Sequence, residues 1–305
     1  NELKVDKGQI FINNYVKDCR FIIEELKGLS AQGVSNYTNS VSVWLNEENN
    51  VVDCEEKKKV IKEMFKNSTV AIIYGAAGTG KSTLINHISH FFSDKNKLFL
   101  AQTHPAVDNL KRKVTASNCE FTTITRFTLN EGIMTEFDIL IIDECSTVSN
   151  SDIKKILDKV TFKLLILVGD TYQIESIRFG NWFSIAEKFI PSTSSTELTK
   201  PYRSNDQNLL NLWSKVRGMD DTVLECLTKN RFSNRLDDSI FKISSQDEVI
   251  LCLNYDGLYG INNINRFLQE SNPSNGVSWG VQIFKVGDPI LFHDTDRFKP
   301  TIYNN

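Results

Sequence analysis

The chain has 305 residues, 40% apolar and 24% charged, with a formal net charge of −3 at pH 7. That length suits two folded domains, and the balanced charge excludes a generally basic protein, so any polyanion surface must be a local stripe. Cys19, Cys54, Cys119, Cys145, Cys226 and Cys252 lack C-x-x-C spacing, which fits reduced thiols in a cytosolic protein better than a disulfide framework or a zinc site.

The N-terminus carries no signal-peptide pattern, and no apolar run reaches the ~20 residues that cross a bilayer. The chain starts without Met and stops in mid-pattern, which predicts a fragment of a longer protein. In chain order, Tyr15, Cys19, Phe21, Ile22 and Leu26 make one apolar face and predict a helix over 14–27. A polar loop follows, then an amphipathic helix over Glu55–Phe65. Its run Glu55-Glu56-Lys57-Lys58-Lys59 reads as a solvated helix face.

Thr69–Tyr74, Lys97–Gln102, Phe137–Asp143 and Phe162–Gly169 read as buried strands. The residues after Lys81, then Ala106–Val114, Asp152–Val160 and Asn181–Ile190, read as helices. This alternation predicts an α/β fold with a mostly parallel sheet covered on both faces. Beyond residue 205 a helix is expected over Gln207–Val216, a strand around Glu248–Asn254 and a helix over Ile261–Gln269. Strands are expected over Trp279–Val286 and Pro289–His293. The expected division is an N-terminal helical extension over 1–54, a nucleotide domain over 55–205 and a partial second α/β domain over 206–305.

The stretch Gly75-Ala76-Ala77-Gly78-Thr79-Gly80-Lys81-Ser82 joins a strand to a helix. Glycines there let backbone N–H groups wrap a polyphosphate, and the helix N-terminus adds positive partial charge. Lys81 is placed to reach the β- and γ-phosphates, and the Ser82 hydroxyl to ligate Mg²⁺. The strand Phe137–Ile142 ends in Asp143 and Glu144, 62 residues after Lys81. One carboxylate suits Mg²⁺ and the other an attacking water. The strand Leu164–Val168 runs into Gly169-Asp170, with Gln173 three residues on; that segment reads equally as a γ-phosphate sensor or as a turn capped by Asp170.

Taken together, these motifs resemble the superfamily 1 helicases of the UvrD and RecD types. The resemblance rests on the phosphate loop, Asp143-Glu144-Cys145-Ser146, Gly169-Asp170-Thr171-Tyr172-Gln173 and Leu198-Thr199-Lys200-Pro201-Tyr202-Arg203-Ser204, in that order. Ala101–Val107 and Thr123-Ile124-Thr125-Arg126-Phe127 add two further matches. The resemblance covers residues 55–205 densely and the remainder thinly. It implies a RecA-like P-loop domain, ATP and Mg²⁺ as cofactors, and single-stranded DNA or RNA as partner.

Residue by residue, it implies nucleotide contacts from Gly75, Gly78, Gly80, Lys81, Ser82 and Thr83. Asp143 joins Ser82 at the metal, and Glu144 acts on water. Gln173 couples the γ-phosphate to the strand site, Tyr202 stacks on adenine and Arg203 contacts the γ-phosphate. Thr103, His104 and Thr125 are implied strand-phosphate contacts, and one of Arg178, Phe179 and Trp182 a base-stacking group. The pattern departs from the family in two places. The helix 55–65 offers Glu and Lys where many relatives have an adenine-reading Gln, and no late Thr-x-His-x-x-Gln-Gly motif follows residue 205. Two other classes share the phosphate loop and acid pair: a P-loop kinase, and a regulatory nucleotide switch within a larger complex such as a defence assembly.

Overall fold

A computed structural model describes residues 2–129, 135–173, 175–202, 204–235, 250–280 and 282–288. These fall into two compact units that divide between Gly218 and Met219.

The first unit opens with an antiparallel hairpin, β1 (Leu3–Asp6) and β2 (Gln9–Ile12), followed by α1 (Asn13–Leu29) and α2 (Tyr37–Leu45). Then come α3 (Glu55–Glu63), β3 (Val70–Gly75), α4 (Lys81–Phe91), β4 (Lys97–Ala101), α5 (His104–Lys113), β5 (Cys119–Thr123) and α6 (Ile124–Leu129). The remainder is β6 (Ile139–Ile142), α7 (Asn150–Lys159), β7 (Leu164–Gly169), α8 (Trp182–Ala186), β8 (Ser195–Leu198) and α9 (Gln207–Arg217).

Six strands form one parallel sheet in the order β5-β4-β6-β7-β3-β8. The four inner strands are buried along their whole length, which is why they read as unbroken apolar runs. Period two then sorts their side chains between two cores. Ala71, Ile73, Phe99, Ile141 and Ile166 pack under α2–α5. Val70, Ile72, Leu98, Leu100, Leu140 and Leu167 pack under α1, α6, α7 and α8. This is a RecA-like α/β P-loop fold. The first unit includes the N-terminal helices and α9 and ends at Gly218.

The two edge strands were not expected from the sequence. Their sequences, Cys119-Glu120-Phe121-Thr122-Thr123 and Ser195-Thr196-Glu197-Leu198, are polar and only partly buried. The helix expected over 181–190 is one short α-helical stretch followed by a 3₁₀ turn at Glu187–Phe189.

The described part of the second unit holds α10 (Val223–Lys229), α11 (Ile261–Ser271) and an antiparallel hairpin of β9 (Gly276–Trp279) and β10 (Gln282–Lys285). Asp288 clamps hairpin to helix, accepting from Gln269 Nε2 at 2.7 Å, Asn272 Nδ2 at 2.8 Å and the Lys285 N–H at 3.0 Å. Residues 250–254 form no strand, and residues 248–249 and Pro289–His293 lie outside the described residues.

Candidate functional site

β6, β7, β3 and β8 lie side by side and parallel, so their carboxyl ends share one edge of the sheet. Ligands of such sheets bind at that edge. There the phosphate loop turns into α4 through Gly80, at φ 86°. A side chain at Gly80 is disfavoured by that φ, which L residues avoid, and its Cβ would press on Lys57 Nζ at 2.8 Å. Lys81 Nζ donates to the carbonyl oxygens of Gly75 at 2.6 Å and Ala76 at 3.0 Å, so the ammonium is folded across the mouth of the loop. Ser82 and Thr83 begin α4, where free N–H groups and the dipole favour an anion.

Asp143 and Glu144 follow β6, two strands from β3. Asp143 Oδ1 accepts from the Glu144 N–H at 2.9 Å. Burial pushes the Asp143 carboxyl up from its ordinary value, against the Glu144 N–H and the charges of Lys81 and Lys113. Burial, then the neighbouring Asp143, does the same to Glu144, while Lys81 pulls it down. A partly buried carboxyl raised in this way is the kind of oxygen ligand whose charge a divalent cation relieves. Glu144 itself sits at φ 55°, a conformation that costs a non-glycine residue about 1 kcal/mol or more and recurs at functional sites. Cys145 is fully buried, its thiol donating to Ile142 O at 3.1 Å.

After β7, Asp170 organises a turn: its carboxylate accepts from the Tyr172 N–H at 3.1 Å and its carbonyl from the Gln173 N–H at 3.1 Å. Gln173 is exposed on that turn. Arg217, at the end of α9, stands 3.6 Å from Asp170, 2.8 Å from Glu197 and over the Tyr172 ring at 4.2 Å. Sequence reading missed Arg217 because no motif reaches α9.

Tyr202 follows β8 and returns to the phosphate loop, donating its backbone N–H to Gly78 O at 2.8 Å. Lys57 Nζ lies 4.7 Å and Lys200 Nζ 5.4 Å from its ring centroid. A hydrogen bond with the Cys54 thiol, then burial, holds its phenol up at about 12. Arg203 lies outside the described residues.

The charge run on α3 is not wholly solvated. Lys57 is 1% exposed, paired with Asp53, which His87 Nε2 also meets at 3.2 Å. Burial pushes the Asp53 carboxyl up, but the bond and charge from Lys57 and the bond from His87 bring it below its ordinary value. The signal was present in the sequence: Lys57 stands three and four residues before Val60 and Ile61, on the buried face of α3.

Among the implied strand contacts, Thr103 caps α5, accepting from Ala106 N at 3.3 Å, and His104 begins that helix; both are exposed. Thr125 is exposed on α6, one strand further along. Arg178 is largely exposed and 3.7 Å from Asp152. Phe179 stacks on Tyr15. Trp182 is excluded as a base-stacking group, because it is buried and its indole donates to Val148 O at 2.8 Å. His87 and His90 bond to Asp53 and Thr115, and no group of three or more metal-ligating side chains occurs among the described residues. No helix among them is long and apolar enough to cross a membrane.

Fold and motif order together define a P-loop NTPase of the superfamily 1 helicase type. The chain belongs to the AAA domain family, whose model matches residues 54–235. It is 24% identical, over 316 residues, to the RecBCD enzyme subunit RecD of Buchnera aphidicola subsp. Acyrthosiphon pisum (strain APS), across 78% of this chain and 51% of RecD. The chain therefore spans about half the length of that curated relative. The solved structure of the Pif1 helicase from Bacteroides in complex with ADP-AlF3 and ssDNA is similar in fold, with TM-score 0.50 and 18% identity over 74% of this chain and 59% of that one. Pif1 helicase from Candida albicans gives TM-score 0.47 and 20% identity, over 74% and 56%.

Proposed function

We propose that this chain is the nucleotide-hydrolysing part of an ATP-dependent translocase or helicase acting on single-stranded DNA or RNA, with Mg²⁺ as cofactor, in the cytoplasm. What supports the reading is the sheet edge at which the phosphate loop, the acid pair, the Gln173 turn and Tyr202 follow the ends of β3, β6, β7 and β8. RecD and a strand-bound Pif1 among its similar proteins support the same class.

In this reading Gly75, Gly78, Gly80, Lys81, Ser82 and Thr83 bind the phosphates, and Mg²⁺ held by Ser82 and Asp143 supplies charge for the leaving oxygens. Glu144 accepts the proton of the attacking water. Gln173 lies on the turn between that chemistry and the exposed Arg178 and Phe179, a route by which phosphate loss reaches the strand. Tyr202 stacks on the base, and Arg203 neutralises the γ-phosphate. Thr103, His104 and Thr125 meet the strand backbone. Of the residues 206–305 expected in a second motor domain, those after Gly218 form the separate unit assigned to it here. A kinase needs neither the Gln173 turn nor Tyr202, and a passive switch needs no Glu144.

The test is phosphate release with and without single-stranded DNA and RNA. Strand-stimulated release that weakens steeply with salt supports the reading, because phosphate contacts release counterions. Phosphate transfer to a small acceptor, or release indifferent to any strand, removes it.

A further inference from the structure

The segment after the Gln173 turn is braced by the N-terminal helix. The rings of Tyr15 on α1 and Phe179 lie face to face, centroids 3.9 Å apart and planes 5° from parallel. Phe179 O accepts from the Asn150 N–H at 3.3 Å, and Asn150 Nδ2 reaches Cys19 Sγ at 2.8 Å. Lys154 Nζ donates to Asp18 at 3.2 Å, a second link between α1 and α7. Behind the ring, Gly180 runs at φ 142°, and a Cβ there would lie 2.0 Å from Asn150 Oδ1. The backbone that carries Phe179 therefore has one path.

Even so, Phe179 is 52% exposed, beside the exposed Ile177 and Arg178. Tyr15 covers one face of its ring, and about half of the residue's surface stays open to solvent. Next to the ring an apolar groove of about 250 Å³ opens between α1 and α8, lined by Ile22, Leu26, Trp182 and Phe189 among others. Phe179 itself lines the rim of that groove, and the stack on Tyr15 fixes the plane of its ring there.

We infer that Tyr15 is a positioning residue of a strand-binding site: with Phe179 it forms a two-ring platform, and one nucleobase of a single strand stacks on the open face of Phe179. The inference rests on the strand-binding reading above and adds the N-terminal helix to that site. Every base has a π-face, so a flat ring recognises strands without reading sequence. A ring already stacked on its inner side loses little freedom when a base arrives. Arg178, the next residue, brings a guanidinium to the phosphate beside that base.

The experiment titrates the 305-residue chain with labelled oligothymidylate and with an abasic deoxyribose-phosphate oligomer of the same length. The wild-type chain is expected to prefer the base-bearing strand by about tenfold, within the range one stacked base contributes. Tyr15→Ala and Phe179→Ala should each bring that ratio near one while leaving the abasic affinity unchanged. Tyr15→Phe should restore it, and the double alanine variant should be no weaker than either single one. A general loss of structure would lower both affinities, and Tyr15→Leu keeps the packing of α1 without the stack if Tyr15→Ala melts early. A wild-type ratio lost in Phe179→Ala but kept in Tyr15→Ala and Tyr15→Leu overturns the role of Tyr15. A ratio kept in both alanine variants overturns the platform. Failure of the wild type to bind either oligomer overturns the strand-binding reading itself, a result distinct from both.

Discussion

The backbone N–H of Tyr202 donates to the carbonyl of Gly78 at 2.8 Å, tying the segment after β8 directly to the phosphate loop. Because the tie is main chain to main chain, it survives a change of side chain. Tyr202→Ala should therefore leave the melting temperature within a degree or two while weakening a fluorescent ADP analogue about tenfold, the size of a lost stack on a base. Tyr202→Phe should bind close to the wild type. Unchanged affinity in Tyr202→Ala would take the ring out of the base site.

Lys57 and Asp53 should respond unequally to mutation. The Lys57 ammonium is buried, whereas Asp53 is 38% exposed. Removing Asp53 leaves a buried charge without its carboxylate, and breaking such a pair costs about 2–4 kcal/mol after allowing for the exposed partner. Lys57→Met removes the charge and keeps the volume, so it should cost less than half as much. Urea unfolding of Asp53→Ala and Lys57→Met reads the difference. Equal losses would mean that the pair is held open to water.

The acid pair and the loop lysine separate binding from chemistry. Lys81→Ala should abolish hydrolysis without unfolding the chain, since water can satisfy the loop carbonyls to which Lys81 donates. Glu144→Gln should keep nucleotide binding and slow strand-stimulated hydrolysis by roughly 10²–10⁴-fold, the usual size of a lost general base. Phosphate release and nucleotide titration on both variants decide it; a fully active Glu144→Gln removes Glu144 from the mechanism.

The inner sheet was legible in the sequence because a strand buried on both faces has to be an apolar run, as Val70–Gly75 and Leu164–Gly169 are. Edge strands carry no such demand. Ser195–Leu198 is half polar and, among the described residues, pairs with β3 alone, so local pattern gave it no mark. The phosphate loop and acid pair were equally legible, since their chemistry is fixed by residues close in sequence. What escaped was long-range. Arg217 meets Asp170 and Glu197 only because α9 passes them, and Tyr15 meets Phe179 across 164 residues. Lys57 is the middle case: its helical phase marked it as inward, and its position in a charge run masked that mark.

Asp143 links the candidate metal site to stability. Its folded carboxyl titrates above the ordinary value because it is buried, so the folded state holds the proton more tightly than the unfolded chain, where an Asp titrates near ~3.9. The stabilising contribution is then full below that value and is lost as pH rises through the raised folded one. Above the ordinary carboxylate range Asp143 therefore weighs against the metal-free fold, and Glu144 adds to it in the same direction. Asp143→Asn should accordingly melt about 2–4 °C above the wild type near neutral pH, the shift that roughly 1 kcal/mol gives a unit of this size, and the gap should close towards about pH 4. Mg²⁺ with ADP should raise the wild-type melting temperature and move the variant much less, because the cation loses its protein carboxylate. Hydrolysis by the variant should be near background. A variant that melts below the wild type near neutral pH, or that gains as much from Mg²⁺ with ADP, would show that Asp143 is neither strained by burial nor a metal ligand.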